Sequence, residues 1–435
     1  MKEDAIKYCI NDCTMLFNII KSFDDQILEK FKVNISSSPT LPGLAFKIYR
    51  THYMDNKIPL MDGQVFNDLI KAYYGGHVDM YIPKTSNNQI RQYDVNGLYP
   101  FVMKSFKFPT KLIAYFIGEI SKMSDYQHLY ENNLGIYKVE VIAPDLTNPL
   151  LPHKVNNTSI YEQGNWTGWY FSEEMKHAMR FGYQFKFLAG YLFESEYLFN
   201  NYIDSVNQIK IEASKGSPNY LIAKLLMNAL YGRFGMSPYL LKHRLLDEEA
   251  LSELANNIGI ENIQTMIDFN KSSIVSFQEL FSKTAKSNIA VALAISAYGR
   301  IHMSQFLNHP AFTGKLYYMD TDSVFCEKEL PAYMISDKEL GLMKLENVFN
   351  SFRSIGPKVY GGETVDGKDL IKVKGFKGIL DYLDLNLACR QEGVLLSHTK
   401  WHRKISEASI KVKESDYLLK PNSFKRDLIF REDGL

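Results

Sequence analysis

The sequence predicts an α+β fold from three features: a hairpin of aromatic and β-branched strands, a strand that ends on an acid, and several helices with regularly spaced apolar residues. The hairpin is KLYYMDTDSVF, residues 315–325, with Asp320 and Asp322 at its turn. Residues i and i+2 of an extended chain share a face, so both carboxylates are expected to point one way. Such a pair repels unless a cation lies between, which indicates a Mg²⁺ site. Ordinary turn chemistry is the alternative.

The composition excludes a polybasic protein. The 435 residues contain 50 Lys and Arg against 49 Asp and Glu, a net charge of +1, so any nucleic-acid surface must be local. An apolar content of 46% and a charged content of 23% are typical of soluble globular proteins. The longest apolar run, residues 289–297, is too short to cross a bilayer, and the N-terminus resembles neither a secretory signal nor a transit peptide. No metal-binding spacing links the four cysteines, which suit a reducing compartment: Cys9, Cys13, Cys326 and Cys389.

Apolar residues at helical spacing predict three helices in the first part of the chain, over residues 4–32, 44–52 and 65–74. A linker rich in Ser and Pro, residues 36–43, separates the first two. On the first helix Tyr8 and Asp12 are four residues apart and share a face, as a solvated pair also would. In Tyr73-Tyr74-Gly75-Gly76 the two glycines allow close approach of the backbone to a partner, or simply a turn.

Residues 90–95 are predicted to form a strand that carries Asp94 at its end, followed by a small-residue turn. An acid in that place suits a metal ligand, and the N–H groups of the turn could hold an anion. A structural Asp is the alternative. Residues 105–195 mix short strands with one predicted helix, over residues 172–181, and contain no catalytic constellation. We interpret them as an inserted lobe.

A helix is predicted over residues 197–213, and Ser217-Pro218 predicts the cap and first turn of a second one. Gly232 and Gly235 are expected to end this second helix. Three of its side chains share a face that could grip phosphate and stack on a base, although an exposed amphipathic helix would look similar: Lys224, Asn228 and Tyr231.

The remainder of the chain begins with a more polar second insertion, residues 236–285, and a strong helix over residues 288–306. After the hairpin, a Lys-x-Tyr at 358–360 precedes a strand-like stretch in which Lys372 and Lys374 alternate. Lysines on one face of a strand suit a phosphate backbone, but they also protect an edge strand from pairing.

Taken together, the order of these motifs resembles that of the family B DNA polymerases. DVNGLYP (94–100) resembles motif A, KLLMNALYGRFG (224–235) motif B, and YMDTDSV (318–324) motif C. The Lys-x-Tyr and the Lys-Val-Lys-Gly at 372–375 resemble the primer-strand motifs. Residues 73–76 resemble the tyrosine–glycine motif between the exonuclease and polymerase domains. The resemblance is closest to the protein-primed branch of linear plasmids, mitochondrial plasmids and phages.

The resemblance implies a right-hand polymerase with an antiparallel palm, helical fingers and a small thumb. It divides the chain into an exonuclease remnant (1–35), the linker and start of the palm (36–104), an insertion resembling terminal-protein region 1 (105–195), fingers (196–235), an insertion resembling terminal-protein region 2 (236–285), palm (286–379) and thumb (380–435).

The resemblance also assigns roles to individual residues. The implied catalytic acids are Asp94, Asp320 and Asp322. Two Mg²⁺ ions, for which Mn²⁺ can substitute, would be held by Asp94, Asp322 and the Val95 carbonyl. The implied nucleotide-binding residues are Leu98, Tyr99, Lys210, Lys224, Asn228 and Tyr231, with Tyr99 closing the pocket against a ribose 2′-hydroxyl. The implied DNA-binding residues are Tyr73, Gly75, Gly76, Gly232, Thr321, Lys358, Tyr360, Lys372 and Lys374.

The chain departs from the family pattern in two respects. Gly97 and Ala229 stand where the family usually has serine, which bears on efficiency more than on the reaction. Tyr8 and Asp12 resemble the third exonuclease motif, but only seven residues precede Tyr8, so the two earlier acidic motifs have no room. We therefore expect the back half of a longer polymerase, without proofreading activity.

The expected partners are primer–template DNA, dNTPs and a terminal-protein primer, with no membrane. The expected compartment is the mitochondrial matrix or the cytoplasm of a phage or plasmid host. Two alternatives stay open: a silent polymerase relic that still binds DNA or terminal protein, and, more remotely, a metal-dependent glycosyltransferase that uses Asp320-Thr321-Asp322.

Overall fold

The computed structural model describes residues 2–84, 88–124, 127–156, 158–237, 241–278, 287–312, 314–376, 378–404, 409–422 and 425–430. Its α-helices are α1 (Lys2–Phe31), α2 (Leu41–His52), α3 (Gly63–Leu69), α4 (Leu98–Ser105), α5 (Gln127–Asn132), α6 (Ser172–Met179), α7 (Asn200–Glu212), α8 (Pro218–Phe234), α9 (Glu248–Ile258), α10 (Ile289–Ser304) and α11 (Tyr382–Leu387). No helix in these ranges is long and apolar enough to span a membrane.

The strands in the described ranges are β1 (Val78–Met80), β2 (Ile90–Val95), β3 (Phe108–Ile117), β4 (Leu134–Ala143), β5 (His153–Val155), β6 (Thr158–Ile160), β7 (Gly164–Phe171), β8 (Gln184–Glu196), β9 (Leu241–Leu246), β10 (Ile263–Phe269), β11 (Ser272–Gln278), β12 (Leu316–Asp320), β13 (Ser323–Cys326), β14 (Met343–Gly356), β15 (Val359–Thr364), β16 (Asp369–Val373), β17 (Val394–Lys404) and β18 (Ser409–Leu419).

A seven-stranded antiparallel sheet forms the centre of the molecule, in the order β1-β12-β13-β2-β14-β15-β16. The hairpin β12–β13 is buried along almost its whole length, which explains its dense run of aromatic and β-branched residues. The predicted strand over residues 90–95 is confirmed as β2, which lies between β13 and β14. The sheet therefore brings strands that are distant in sequence side by side.

Helix α10 is buried from Ile289 to Arg300, and its alternating alanines leave room for close neighbours. The Asn288 side chain caps it by accepting the Val291 N–H at 3.2 Å. Helix α8 begins, as predicted, after Ser217, which accepts the Tyr220 N–H at 3.4 Å. The expectation that Gly232 ends α8 is wrong, because the helix continues to Phe234 and Gly235 alone forms its cap.

Other predicted boundaries differ by a few residues. The predicted linker is shorter because Thr40 caps α2, so that helix begins at Leu41. The predicted helix over residues 65–74 ends at Leu69 and continues as a 3₁₀ turn, and the one over residues 197–213 begins at Asn200.

Three smaller units surround the central sheet. A four-stranded sheet in the order β3-β8-β4-β7, with α6, is formed by the predicted first insertion. The second insertion forms a three-stranded sheet in the order β10-β11-β9, with α9. After the central sheet come α11 and the hairpin β17–β18. Helix α1 exposes apolar side chains such as Ile10 and Phe17 along its first turns, whereas Ile27 and Phe31 near its end are buried.

Candidate active site

The turn between β12 and β13 carries two of the three predicted acids. Asp320 pairs with Ser323 across the hairpin, and Thr321 between them adopts a left-handed conformation with φ 62°. The backbone is therefore a turn and not an extended chain between Asp320 and Asp322, which corrects the expected geometry. The two acids still lie near each other, because the charge of Asp320 contributes to the raised pKa of Asp322.

Asp94 and Asp322 form a partly buried pair. Asp94 lies opposite Ser323 on the neighbouring strand, and the Val95 N–H donates to the Asp322 carbonyl at 2.8 Å. Burial, together with the nearby charge of Asp322, raises the pKa of Asp94 to about 7, although Lys224 and Lys344 oppose the shift. Burial, with a contribution from Asp320, also raises the pKa of Asp322. The pKa values of the two partly buried carboxylates are raised although lysines lie nearby, so these lysines do not fully compensate the pair, which is the environment of a cation site.

Asp320 is neutralised by a lysine of the protein. Its Oδ1 accepts a hydrogen bond from Lys358 Nζ at 2.5 Å. Lys358 is itself held in a left-handed conformation with φ 63°, and its backbone N–H donates to the Tyr318 hydroxyl at 2.6 Å. Because Asp320 already forms an ion pair with Lys358, Asp94 and Asp322 are the two acids of this cluster that are better placed to bind an added cation. Within the described ranges, no group of three His, Cys, Asp or Glu side chains could hold a metal ion.

Two tyrosines form a wall beside the acidic pair. Gly97, at φ 59°, provides the left-handed turn that starts α4, and Tyr99 lies in the first turn of that helix. The Tyr99 ring packs on Tyr231 of α8 with centroids 4.3 Å apart, and their hydroxyls are hydrogen-bonded. Burial raises the pKa of both phenols, so both stay neutral near neutral pH.

Two lysines, one on α7 and one on α8, lie near the acidic pair. Lys224 is exposed on α8, and its charge opposes the rise in the Asp94 pKa. Lys210 lies near the end of α7 with its Nζ 5.9 Å from the centroid of the Tyr220 ring. Burial and the charge of Lys224 lower the Lys210 pKa, which places the two cations close together. Asn228 is exposed one turn after Lys224.

The Tyr-Gly-Gly segment packs against the turn between β12 and β13. A Cβ on Gly76 would lie 2.6 Å from Thr321 Cγ2, so glycine is required there. The next residue, His77, accepts the Thr321 N–H at 2.7 Å. Tyr73 approaches the end of α8, where a Cβ on Gly235 would lie 2.8 Å from its hydroxyl. Residues 73–77 thus connect the turn to α8.

The predicted primer-side residues come together on β15 and β16. Tyr360 pairs with Lys372, and the Lys374 N–H donates to the Lys358 carbonyl at 3.0 Å. Burial first, then the charges of all three acids, raise the pKa of Tyr360 to about 12, so its ring lies near the acids. Lys372 is exposed on the edge strand β16 and Lys374 is exposed just after its end, positions that suit both interpretations of these lysines.

Comparison with known proteins decides the family. The profile of DNA polymerase type B, organellar and viral, matches residues 1–311. This chain belongs to that family. It is 37% identical to a probable DNA polymerase of Neurospora intermedia, in an alignment that covers 96% of this chain and 44% of the relative. It is 30% identical to a probable DNA polymerase of Podospora anserina, in an alignment that covers 100% of this chain and 39% of the relative. A DNA-directed DNA polymerase of Enterobacteria phage PRD1 is 24% identical over 86% and 62%. The chain thus spans less than half the length of these two fungal relatives.

Solved structures confirm the fold of this polymerase family member. Phi29 DNA polymerase in complex with primer–template DNA and incoming nucleotides matches with a TM-score of 0.63 and 17% identity, over 88% of this chain and 68% of that one. The orthorhombic crystal form of Phi29 DNA polymerase matches with a TM-score of 0.65 and 17% identity, over 91% and 70%. The predicted right-hand polymerase fold and family are confirmed. Family membership also sets aside the glycosyltransferase interpretation.

The sequence did not single out a buried ion pair close to Tyr99. Arg300 of α10 pairs bidentately with Glu174 of α6, Nε to Oε1 at 2.6 Å and Nη2 to Oε2 at 2.7 Å. Arg300 Nη1 also donates to the carbonyls of Tyr74 and Gly75, at 2.8 and 2.9 Å. A single arginine inside a long helix of apolar and small residues could have indicated that Arg300 has a buried partner. No nearby sequence feature identified Glu174 as that partner.

The residues assigned to an exonuclease remnant lie elsewhere. Tyr8 and Asp12 are exposed on α1, and neither takes part in the contacts described above. Their proposed relation to an exonuclease stays a prediction.

Proposed function

We propose that this chain catalyses template-directed DNA synthesis, transferring a nucleotide from a dNTP to a primer 3′-hydroxyl or to the hydroxyl of a protein primer. The observation that carries the proposal is the buried Asp94–Asp322 pair, whose raised pKa values leave it in need of a cation, beside Lys224 and the Tyr99–Tyr231 wall. In the reaction a bond forms between the 3′-oxygen and the α-phosphorus, and the bond to pyrophosphate breaks.

The donor set fits Mg²⁺, which prefers oxygen ligands from one or two carboxylates and completes its shell with water and phosphate. Asp94, Asp322 and the Val95 carbonyl would hold the ions. Two bound Mg²⁺ ions would acidify the 3′-hydroxyl and neutralise charge on the leaving pyrophosphate.

The protein's own groups bind and orient the substrates. Lys224 and Lys210 grip the triphosphate, and the Leu98 N–H at the start of α4 supports it. Tyr99 blocks a ribose 2′-hydroxyl while resting on Tyr231, which with Asn228 lines the new base pair.

On the primer side, the Asp320–Lys358 ion pair completes the acidic cluster and keeps Lys358 beside the carboxylates. Lys372 and Lys374 contact the primer phosphates, next to Tyr360. Residues 73–76, Gly232 and Thr321 complete the proposed DNA contacts.

The predicted domain division belongs to the same proposal. Residues 1–35 are the exonuclease remnant, and residues 36–104 are the linker and the start of the palm. The palm continues over 286–379, the fingers comprise 196–235 and the thumb 380–435. In the family, the insertion that 105–195 resembles contacts the priming protein and DNA, and the insertion that 236–285 resembles gives processivity and strand displacement. The mitochondrial matrix, or the cytoplasm of a plasmid or phage host, stays the predicted location, and the lack of proofreading stays a prediction.

Primer extension on a 3′-recessed DNA duplex with Mg²⁺ and four dNTPs tests the proposal. We expect the wild type to extend the primer, and Asp322→Asn and Asp94→Asn to lose activity by roughly 10³-fold or more, because each removes a metal ligand. Asp366→Asn, a matched change at an exposed turn, should extend like the wild type.

Each other outcome has a defined meaning. Binding of DNA without extension by the wild type would identify a silent relic. Undiminished extension by Asp322→Asn would refute the assigned acidic pair. Shortening of the primer in the absence of dNTPs would contradict the predicted lack of proofreading.

A further inference from the structure

The short strand β1 supports the catalytic turn from the edge of the central sheet. Its neighbour β12 is its partner in the sheet, with Val78 opposite Asp320. The His77 carbonyl, just before β1, accepts the Thr321 N–H at 2.7 Å. Thr321 is β-branched and sits at φ 62°, a strained conformation that persists where its surroundings hold it. The position of β1 therefore determines the position of the turn.

Strand β1 is fully buried although it lies at an edge. The ring of His77 stacks on Tyr161 with centroids 3.6 Å apart, and its Nε2 lies 3.0 Å from the Tyr81 hydroxyl. Asp79, in the middle of the strand, is 2% exposed. A carboxylate so deeply buried must be paired, since an uncompensated charge there is strongly destabilising.

His77 Nε2 lies 3.9 Å from Asp79 Oδ2, and the chain near its C-terminal end provides a second, permanently charged partner. Arg426 donates to Asp79 Oδ2 from Nη2 at 3.0 Å and from Nε at 3.2 Å, and its guanidinium lies 4.7 Å above the Tyr81 ring. The adjacent Lys425 donates from Nζ to the Val78 carbonyl at 2.5 Å. Two consecutive residues, 347 positions from β1, thus fasten both its side chain and its backbone.

We propose that Arg426 is a positioning residue for nucleotide transfer. By pairing with Asp79 it holds β1, and with it the His77 carbonyl, against Thr321, so that Asp320 and Asp322 stay in place beside Asp94. This role rests on the proposed polymerase function. It is distinct from a contact with DNA, because Asp79 is too deeply buried to touch a nucleic acid.

The test compares Arg426→Ala, Asp79→Asn and the double variant in single-turnover extension by enzyme saturated with primer–template and dNTP. Misplacement of reacting groups by a fraction of an ångström is costly, so each single change should lower the rate about tenfold or more and raise the Mg²⁺ concentration for half-maximal rate. The double variant should lose little beyond the single changes, because the two residues act as one unit. Arg426→Lys should recover part of the rate.

Further measurements separate positioning from other roles. The Kd for primer–template, from fluorescence anisotropy, should stay near the wild-type value, and assays are run well below each variant's Tm. Lys420→Ala, an exposed change in the same segment, should behave like the wild type. A weaker Kd in Arg426→Ala but not in Asp79→Asn would mean a DNA contact and overturn the proposal. The proposal would also be overturned if the rate losses of the two single variants added up in the double variant, or if Arg426→Ala lowered the Tm and left the rate unchanged.

A measurement that needs no catalysis, the change in Tm caused by Mg²⁺, tests this inference separately from the proposed function. If the wild type extends no primer, the polymerase proposal fails, and Mg²⁺ alone then serves as the probe. In that case the rise in wild-type Tm on addition of Mg²⁺ should shrink in Arg426→Ala and stay intact in Lys420→Ala. An equal rise in all three proteins would overturn the positioning role.

Discussion

The carboxyl group of Asp94 is held in an environment that favours its neutral form. Its burial and the charge of Asp322 outweigh the two lysines nearby, and the result is a pKa of about 7 against an ordinary value of 3.8. Asp320, only two residues from Asp322, has instead a lysine in direct contact at 2.5 Å. Two acids of one short turn therefore have different environments: burial raises the pKa of Asp322, whereas Asp320 forms an ion pair with Lys358.

Stability should consequently fall as pH rises when no divalent cation is present. Between pH 4 and pH 7 the folded protein keeps a proton on Asp94 that the unfolded chain has released, so folding becomes less favourable as pH increases through this window and levels off above about pH 7. In EDTA we expect the Tm of the wild type to drop by a few degrees between pH 5 and pH 8 relative to the Tm of Asp94→Asn. The comparison cancels His77, His177 and His302, whose pKa values burial lowers and whose contribution has the opposite sign. Thermal unfolding across this range measures the effect.

Two variants test whether Asp94 causes this dependence of the Tm on pH. The slope of Tm against pH should become flatter in Asp94→Asn and should stay unchanged in Asp366→Asn. Mg²⁺ should raise the wild-type Tm at pH 8 and have little effect at pH 5, where the site is protonated. A slope that persists in Asp94→Asn would show that another group is responsible.

The hairpin β12–β13 illustrates how an element can depend on its neighbours. Its strands are specified by their own residues, but the left-handed Thr321 at its tip is disfavoured for a β-branched side chain. Gly76 leaves room for that side chain, and the His77 carbonyl fixes its N–H. The Tyr-Gly-Gly segment is thus part of the support of motif C, in addition to any contact it makes with DNA.

Gly76→Ala should impair nucleotide transfer more than stability. The new Cβ would lie 2.6 Å from Thr321 Cγ2 and must push the turn away, so we expect a loss of about tenfold to a hundredfold in rate. Steady-state and single-turnover extension measure it. Adding Thr321→Gly, which removes the opposing side chain, should restore part of the rate. If the double variant is no better than Gly76→Ala, the clash is not the cause.

The central sheet and the first insertion are joined through a buried polar contact. Glu174 of α6 and Arg300 of α10 meet there, and Arg300 also binds the carbonyls of Tyr74 and Gly75. From the same side, the Tyr170 ring stacks on Tyr74 at 5.6 Å. The first insertion, helix α10 and residues 73–77, which pack against the turn between β12 and β13, therefore share one cluster of contacts.

Glu174→Gln should destabilise the protein by about 3 kcal/mol or more, because removing one partner leaves a buried charge uncompensated. Urea unfolding followed by circular dichroism gives the free energy of unfolding. On the same helix, Lys176→Ala breaks the more exposed Lys176–Glu173 pair and should cost less than about 1 kcal/mol. Similar losses in both variants would argue against a special role for the buried pair.

Local features of the sequence determined much of the structure. The strand β2, the hairpin around Asp320 and the capped start of α8 follow from alternation, propensity and capping, which act between residues close in the chain. The order of the three polymerase motifs was enough to predict the family and the right-hand fold. Where a local rule erred, as at Gly232, packing of the helix outweighed the low helix propensity of a single glycine.

Only the tertiary structure decided which charges meet. The pairing of Asp320 with Lys358, of Arg300 with Glu174 and of Asp79 with Arg426 joins residues 38, 126 and 347 positions apart. No propensity or spacing specifies such partners, because an ion pair depends on how separate elements pack and on what that packing removes from water. The motifs therefore predict a chemistry for the site, whereas the contacts that hold these residues in place follow only from the tertiary structure.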